Sequence, residues 1–164
     1  MIFIAIGSNQ PGTFASPQAL CEAAIKAMER EGLRITARSR WYSSAPLPPD
    51  PTQPWYINGA VSVATSLEPI ALLALLNRIE SEFGRVRTAQ NGPRTLDLDL
   101  LAHGCRLIDS PSLTIPHPRL HERAFVLLPL LDIAPNWRHP QTGEQISEML
   151  DSLPGNQVVL PIVG

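Results

Sequence analysis

Apolar residues recur along this chain with two periods, and the switching between them lays out a sequence of elements. Residues 2–8 (IFIAIGS) are apolar at almost every position, which predicts a buried strand ending at Gly7-Ser8-Asn9. Ser16 before Pro17 predicts a helix start: the serine hydroxyl can accept from a free N–H of the first turn, and proline needs no donor there. Leu20, Ala23, Ala24, Ala27 and Met28 supply the apolar stripe, and Gly32 the stop. A second strand is expected over 34–43, from Ile35 to Trp41 and Tyr42. The segment APLPPDPTQP cannot continue it, because each proline removes a backbone donor, and it reads as a stiff surface loop.

A third strand, Tyr56 to Thr65, divides into two faces, with Ile57, Val61 and Val63 on one and Tyr56, Asn58, Ala60 and Ser62 on the other. An aromatic beside an amide suits a flat heterocycle, and it suits equally an ordinary half-buried tyrosine on a polar outer face. A second helix is expected from Pro69 to Phe83, with Leu72, Leu76, Ile79 and Phe83 as its stripe and Gly84 as its stop. Asn77 and Glu80 lie near its end, where a structural charge pair is the plain account of Glu80. From Thr95 to Leu101 the period returns to two: Leu96, Leu98 and Leu100 face one way, Asp97 and Asp99 the other. Short strands follow within 106–109 and 113–116, then a short helix through Leu131 that Pro129 should divide. An amphipathic helix from Gln145 to Leu153 and a short strand from Val158 to Ile162 complete the order.

Composition narrows the class. At 164 residues, 44% hydrophobic and 17% charged, a single globular domain over 1–164 is expected. A net charge of −2 weighs against a nucleic-acid surface, and no apolar run reaches membrane-spanning length. The opening MIFIAIG is too short for a signal peptide and lacks a basic lead. Cys21 and Cys105 lack metal-type spacing and read as reduced packing residues of a cytoplasmic protein.

The chemistry concentrates between Gly84 and Gly104, GRVRTAQNGPRTLDLDLLAHG. Asp97 and Asp99 share a strand face at roughly 7 Å, close enough to share bound cations. Arg85, Arg87 and Arg94 stand just upstream. Carboxylates supply hard oxygen ligands for Mg²⁺, and guanidinium forks suit phosphate oxygens, so the combination points to a metal–polyphosphate site. A solvated strand face with salt-bridge partners is the alternative. His117 and His121 do not suggest zinc, since Pro118 disrupts helical spacing and no third ligand is evident.

At GRVR…GPRTLDLDLL the chain resembles the 6-hydroxymethyl-7,8-dihydropterin pyrophosphokinases of folate biosynthesis. The resemblance extends through GSN at 7–9, APLPP at 45–49, YIN at 56–58, LTIPH at 113–117 and RAFVLLPLLDIAP at 123–135. It implies an α/β (α+β) three-layer sandwich with a ferredoxin-like core, a mainly antiparallel sheet flanked by helices. It implies transfer of a diphosphate from ATP to the pterin hydroxymethyl group, releasing AMP. Asp97 and Asp99 would hold two Mg²⁺ ions, with Arg85, Arg94 and Arg87 on the triphosphate and His117 and Arg123 completing the phosphate site. Asn77, Glu80 and Thr114 would follow the nucleoside, with Leu100 near adenine. Tyr56 and Phe125 would sandwich the pterin, Asn58 would read its edge, and Ser44 and Leu47 would lie nearby. A monomer acting on these two small molecules is expected.

The chain departs from that pattern in three places. Gln90-Asn91 stands where an arginine–tryptophan pair is common, Ser112 where an arginine is common, and Pro118 where an aromatic sometimes follows the histidine. The rival readings are a catalytically silent binding module of the same fold and an enzyme with a different alcohol acceptor. Keeping both crowded aspartates weighs against the first; Tyr56, Asn58 and Phe125 weigh against the second.

Overall fold

The computed structural model describes residues 1–84 and 95–162. Strand β1 (Ile2–Ser8) is an interior strand of a six-stranded antiparallel sheet, pairing with β4 (Tyr56–Ala64) on one side and β5 (Asp97–His103) on the other. Both β2 (Arg34–Arg38) and β3 (Tyr42–Ser44) pair with β4, and β8 (Val159–Pro161) closes the edge on β3. The strands β6 (Ile108–Asp109) and β7 (Thr114–Ile115) form a separate ribbon. Taking β2 and β3 as one interrupted strand, the β-α-β-β-α-β path lies in the order β5-β1-β4-β2/β3, the ferredoxin-like arrangement.

Helices α1 (Pro17–Arg30) and α2 (Pro69–Glu82) cover one face of the sheet. Ser16 caps α1 by accepting from the Ala19 N–H at 3.1 Å, with Pro17 in the first turn. Both helices stop at glycines with positive φ, Gly32 (+95°) and Gly84 (+83°), which residues bearing a Cβ adopt only with strain. Cys21 and Ile25 join the expected α1 stripe, while Ala23 is only half-buried. Helices α3 (Ala124–Ile133) and α4 (Ile146–Asp151) cover the other face, over Phe3, Ala60 and Leu101. Gln145 and Glu148 form a reciprocal capping box that starts α4.

Four expectations are corrected. The strand over 34–43 is broken: Ser39 Oγ accepts the Ala60 N–H at 2.9 Å, replacing a backbone ladder partner, and Trp41 turns into the core. Pro129 does not divide α3. The helix runs through it, the break falls earlier at Arg123, and Pro129 itself is buried. Packing against the sheet outweighs one lost helical hydrogen bond. The Tyr56-Asn58-Ala60-Ser62 face is not a polar outer face, since Asn58, Ala60 and Ser62 are buried. Cys105 is exposed and Cys21 alone is a packing residue.

Candidate active site

Strand pairing decides where a hollow forms. On the α3 face of the sheet, Gly7 of β1 lies opposite Asp97 of β5 on one side and Asn58 of β4 on the other. Ala5 lies opposite Asp99 and Ala60. Small residues thus floor the middle strand, while larger polar ones rise from both neighbours. A Cβ at Gly7 would stand 3.0 Å from Asn58 Nδ2, so that neighbour would have to give way. Asp97 and Asn58 are separated by two strand spacings, roughly 9.5 Å. Helix α3 begins only at Ala124, leaving this part of the sheet uncovered, and a cavity of about 440 Å³ results. Its rim comes from the proline-rich loop after β3 and from Arg123, Phe125 and Val126.

Each end of the cavity has its own chemistry. At one end Asn58 is oriented: the Ser44 hydroxyl donates to its Oδ1, leaving Nδ2 toward Gly7. Tyr56 and Phe125 add aromatic surface there, and the Arg123 guanidinium lies 5.5 Å from the Phe125 ring centre. At the other end Asp97 and Asp99 face His117 and Arg123. The His117 N–H donates to the Leu101 carbonyl at 2.9 Å, which holds that residue against β5. Burial pushes the His117 ring below the usual histidine range, with the Asp99 charge opposing and Arg123 and Arg119 assisting. Its Nδ1 accepts the Arg119 backbone N–H at 3.2 Å, so the neutral ring carries its proton on Nε2, a donor. Burial likewise lowers the Arg123 guanidinium, against the attraction of Asp99. Arginine nevertheless keeps its charge at physiological pH. A site with paired carboxylates, a fixed cation and a neutral imidazole donor can hold a metal-bound polyanion.

Residues 3–135 match the model of the 7,8-dihydro-6-hydroxymethylpterin-pyrophosphokinase family. The chain belongs to this family. A Pseudomonas aeruginosa relative named 2-amino-4-hydroxy-6-hydroxymethyldihydropteridine pyrophosphokinase is 44% identical over 154 residues, covering 93% of this chain and 91% of the relative. A Synechocystis relative of the same name is 44% identical over 135 residues, covering 82% of this chain, which spans 66% of that relative's length. Among solved structures, an HPPK-DHPS crystal structure with substrates overlays at a TM-score of 0.69 with 16% identity, covering 92% of this chain and 43% of that one. That likeness bears on the fold.

Of the residues that the pyrophosphokinase resemblance singles out, Ser44, Leu47, Tyr56, Asn58, Asp97, Asp99, His117, Arg123 and Phe125 line this cavity together. Four stand apart from its lining. Leu100 is buried in the core beneath α1 and α2, so its backbone rather than its side chain is left for a nucleoside. The buried Glu80 carboxylate accepts the Leu98 N–H at 2.8 Å and ties α2 to β5. Asn77 and Thr114 are half-buried on α2 and β7. Arg85, Arg87 and Arg94, with Gln90 and Asn91, lie outside the described residues. Sequence reasoning gave no role to Ala5, Gly7, Asp50 and Gln53, all of which line the cavity. Asn9 Nδ2 donates to Gln53 Oε1 and to the Pro54 carbonyl, both at 3.3 Å, and so anchors the proline-rich loop to the end of β1. The GSN and APLPP blocks were the available signal.

Proposed function

We infer that this chain transfers a diphosphate from ATP to the hydroxymethyl group of 6-hydroxymethyl-7,8-dihydropterin, releasing AMP, as a step of folate synthesis. The observation that carries the reading is one cavity lined by the two carboxylates, by an amide that Ser44 orients and by the aromatics Tyr56 and Phe125. Such a cavity accepts an acceptor and a donor substrate side by side. In the reaction the alcohol oxygen bonds to the β-phosphorus and loses its proton. The bond from that phosphorus to the α,β-bridging oxygen breaks, and AMP leaves with the electron pair. This chemistry needs positioning and charge stabilisation more than covalent help from the protein.

The donor set suits Mg²⁺, two ions in this reading: Asp97 and Asp99 would hold them, and when bound they neutralise phosphate charge and polarise the attacking hydroxyl. Arg123 and the Nε2–H of His117 orient the phosphate chain beside them, and Arg85, Arg87 and Arg94 add to that charge. Asn77, Thr114 and the backbone at Leu100 follow the nucleoside, and Glu80 supports that stretch of β5 from beneath through the Leu98 N–H. Asn58 Nδ2, with its amide held by Ser44, donates to an acceptor on the pterin edge. Tyr56 and Phe125 stack on its faces and Leu47 closes the side. Asp97 is the nearest group to take the alcohol proton. The reading places a monomer in the cytoplasm, where an exposed free thiol such as Cys105 stays reduced. Among the described residues no helix is long and apolar enough to cross a membrane.

The test is a coupled assay of AMP formation from ATP and Mg²⁺, with and without hydroxymethyldihydropterin. AMP should appear only with the pterin. Equal AMP in both arms, or none in either, overturns the reading.

A further inference from the structure

The C-terminal tail runs along the walls of the candidate site, and the Gln157 side chain binds the backbone on either side of Arg123. Gln157 lies beyond the 3–135 span that matches the family. Its Oε1 accepts the Ala124 N–H at 2.9 Å, and its Nε2 donates to the Glu122 carbonyl at 2.8 Å. The residue between, Arg123, is extended (φ −122°, ψ 110°), wedged between a 3-10 turn (Leu120–Glu122) and α3. An extended residue turns its neighbours' carbonyl and N–H toward the same side, as along a strand edge. The Gln157 carboxamide pairs with both, as a neighbouring peptide group would.

Helix α3 has no side-chain cap of its own, since its N-cap residue is Arg123. The Gln157 amide therefore satisfies one of the orphan N–H groups of its first turn. Gln157 is itself held in place. The Ala45 N–H donates to the Val158 carbonyl at 3.0 Å, and β8 pairs Val159 with Ser44. The tail thus runs from the strand carrying Ser44 to the peptide that carries Arg123 and Phe125, joining two walls of one cavity.

We propose that Gln157 is a positioning residue of the active site: its carboxamide clamps the backbone on either side of Arg123 and so sets Arg123 and Phe125 against the phosphate and pterin positions. This rests on the functional reading above, and it assigns to the tail a part in substrate placement. The clamp acts through backbone groups, so its loss should loosen two side chains in one step while the sheet and core stay intact.

The test compares the full-length wild-type chain with Gln157→Met, which keeps the length and removes both hydrogen bonds, and Gln157→Glu, which keeps only the acceptor. Amide hydrogen exchange is measured without ligands, together with kcat, KM for each substrate and the melting temperature. In Gln157→Met, exchange at Ala124 should rise severalfold, up to about tenfold, the order expected for losing a hydrogen bond of ordinary net strength. Amides of β1 and β4 should be unchanged. The pterin KM should rise and kcat fall, each severalfold, with melting shifted by only a few degrees. Gln157→Glu should fall between the two.

Unchanged exchange at Ala124, unchanged kinetics with faster exchange, or a uniform rise in exchange across the sheet would each overturn the clamp. A wild-type chain that makes no AMP would sink the functional reading instead. The ligand-free exchange at Ala124 would then decide the clamp alone.

Discussion

The two faces of the central sheet are built from the same strands and have opposite characters. Toward α1 and α2, Ile4, Ile6, Leu98 and Leu100 are sealed under a continuous helical layer. Space there is so closely used that a Cβ at Gly59 would fall 2.5 Å from the Trp41 ring. Toward α3, the alternate residues of those strands are Ala5, Gly7, Asp97 and Asp99, and they line a hollow. Farther along this face, where α3 and α4 do cover it, Phe3, Ala60 and Leu101 are apolar and buried again. A face becomes a site where the covering helix begins late and the middle strand is small. Polar side chains are tolerated there because ligand or water can meet their hydrogen-bond needs, which a sealed layer would leave unmet.

The largest effect should come from adjacent residues of β5 that point opposite ways. Asp97→Ala or Asp99→Ala should lower kcat on the order of a thousandfold or more, judged by typical metal and electrostatic contributions, with little change in the urea midpoint. Leu98→Ala should do the reverse, removing about 2–5 kcal/mol of stability while the folded fraction keeps its kcat. An Asp97→Ala protein with more than a tenth of normal activity would remove the distinction between the faces.

The two close-packed glycines sharpen the contrast. Gly59→Ala forces a methyl into the Trp41 ring and should destabilise by about 1–3 kcal/mol, read by thermal melting. Gly7→Ala meets only the end of the Asn58 side chain, so melting should move far less. The pterin KM should instead rise several-fold as the amide is displaced. Equal melting shifts in the two variants would argue against a difference in packing.

Phe125→Ala tests the division within the cavity. Loss of one stacking face should weaken binding of a pterin analogue by about 0.5–1.5 kcal/mol beyond the loss of area. Calorimetric ATP affinity should hardly change; equal losses for both ligands would contradict separate ends.

The thiols extend the comparison without any substitution. Burial, with help from the Glu22 charge, pushes Cys21 up to about 12, whereas Cys105 is exposed on a turn. A thiol reagent at pH 8 should modify Cys105 quickly and Cys21 only on unfolding, as peptide mass spectrometry would reveal. The Cys21 pKa is raised on folding, so the unfolded chain loses its proton first. Stability should therefore fall as pH rises from about 9 toward 12. Rapid double modification of the native chain would mean that the α1 face is less sealed than described.

Much of this was legible along the chain because it rests on local physics. The Ser16-Pro17 start, the glycine stops and the alternation through Leu96–Leu100 depend on neighbours a few residues away; α1 starts and both helices stop where expected, and the strand expected over Thr95–Leu101 forms two residues later, at Asp97–His103. The interruption at Ser39 and the unbroken α3 were not legible. Each depends on a partner distant in sequence: Ala60 for Ser39, and for α3 the sheet on which Val126, Leu127 and Leu130 pack.

The sequence by itself determined the order of elements, the opposed faces of β5 and, through the GSN, APLPP, YIN and PRTLDLDLL blocks, the family. Tertiary structure alone decided that Gly7 would lie between Asp97 and Asn58, because strand register is set by pairing across 51 and 90 residues of chain. It also decided that Glu80 would turn inward to Leu98 and that Gln157 would bridge Glu122 and Ala124. Periodicity along a chain tells which side of its own element a residue takes. What stands opposite is a property of the assembled sheet and layers, where hydrogen-bond geometry and close packing select one neighbour among many.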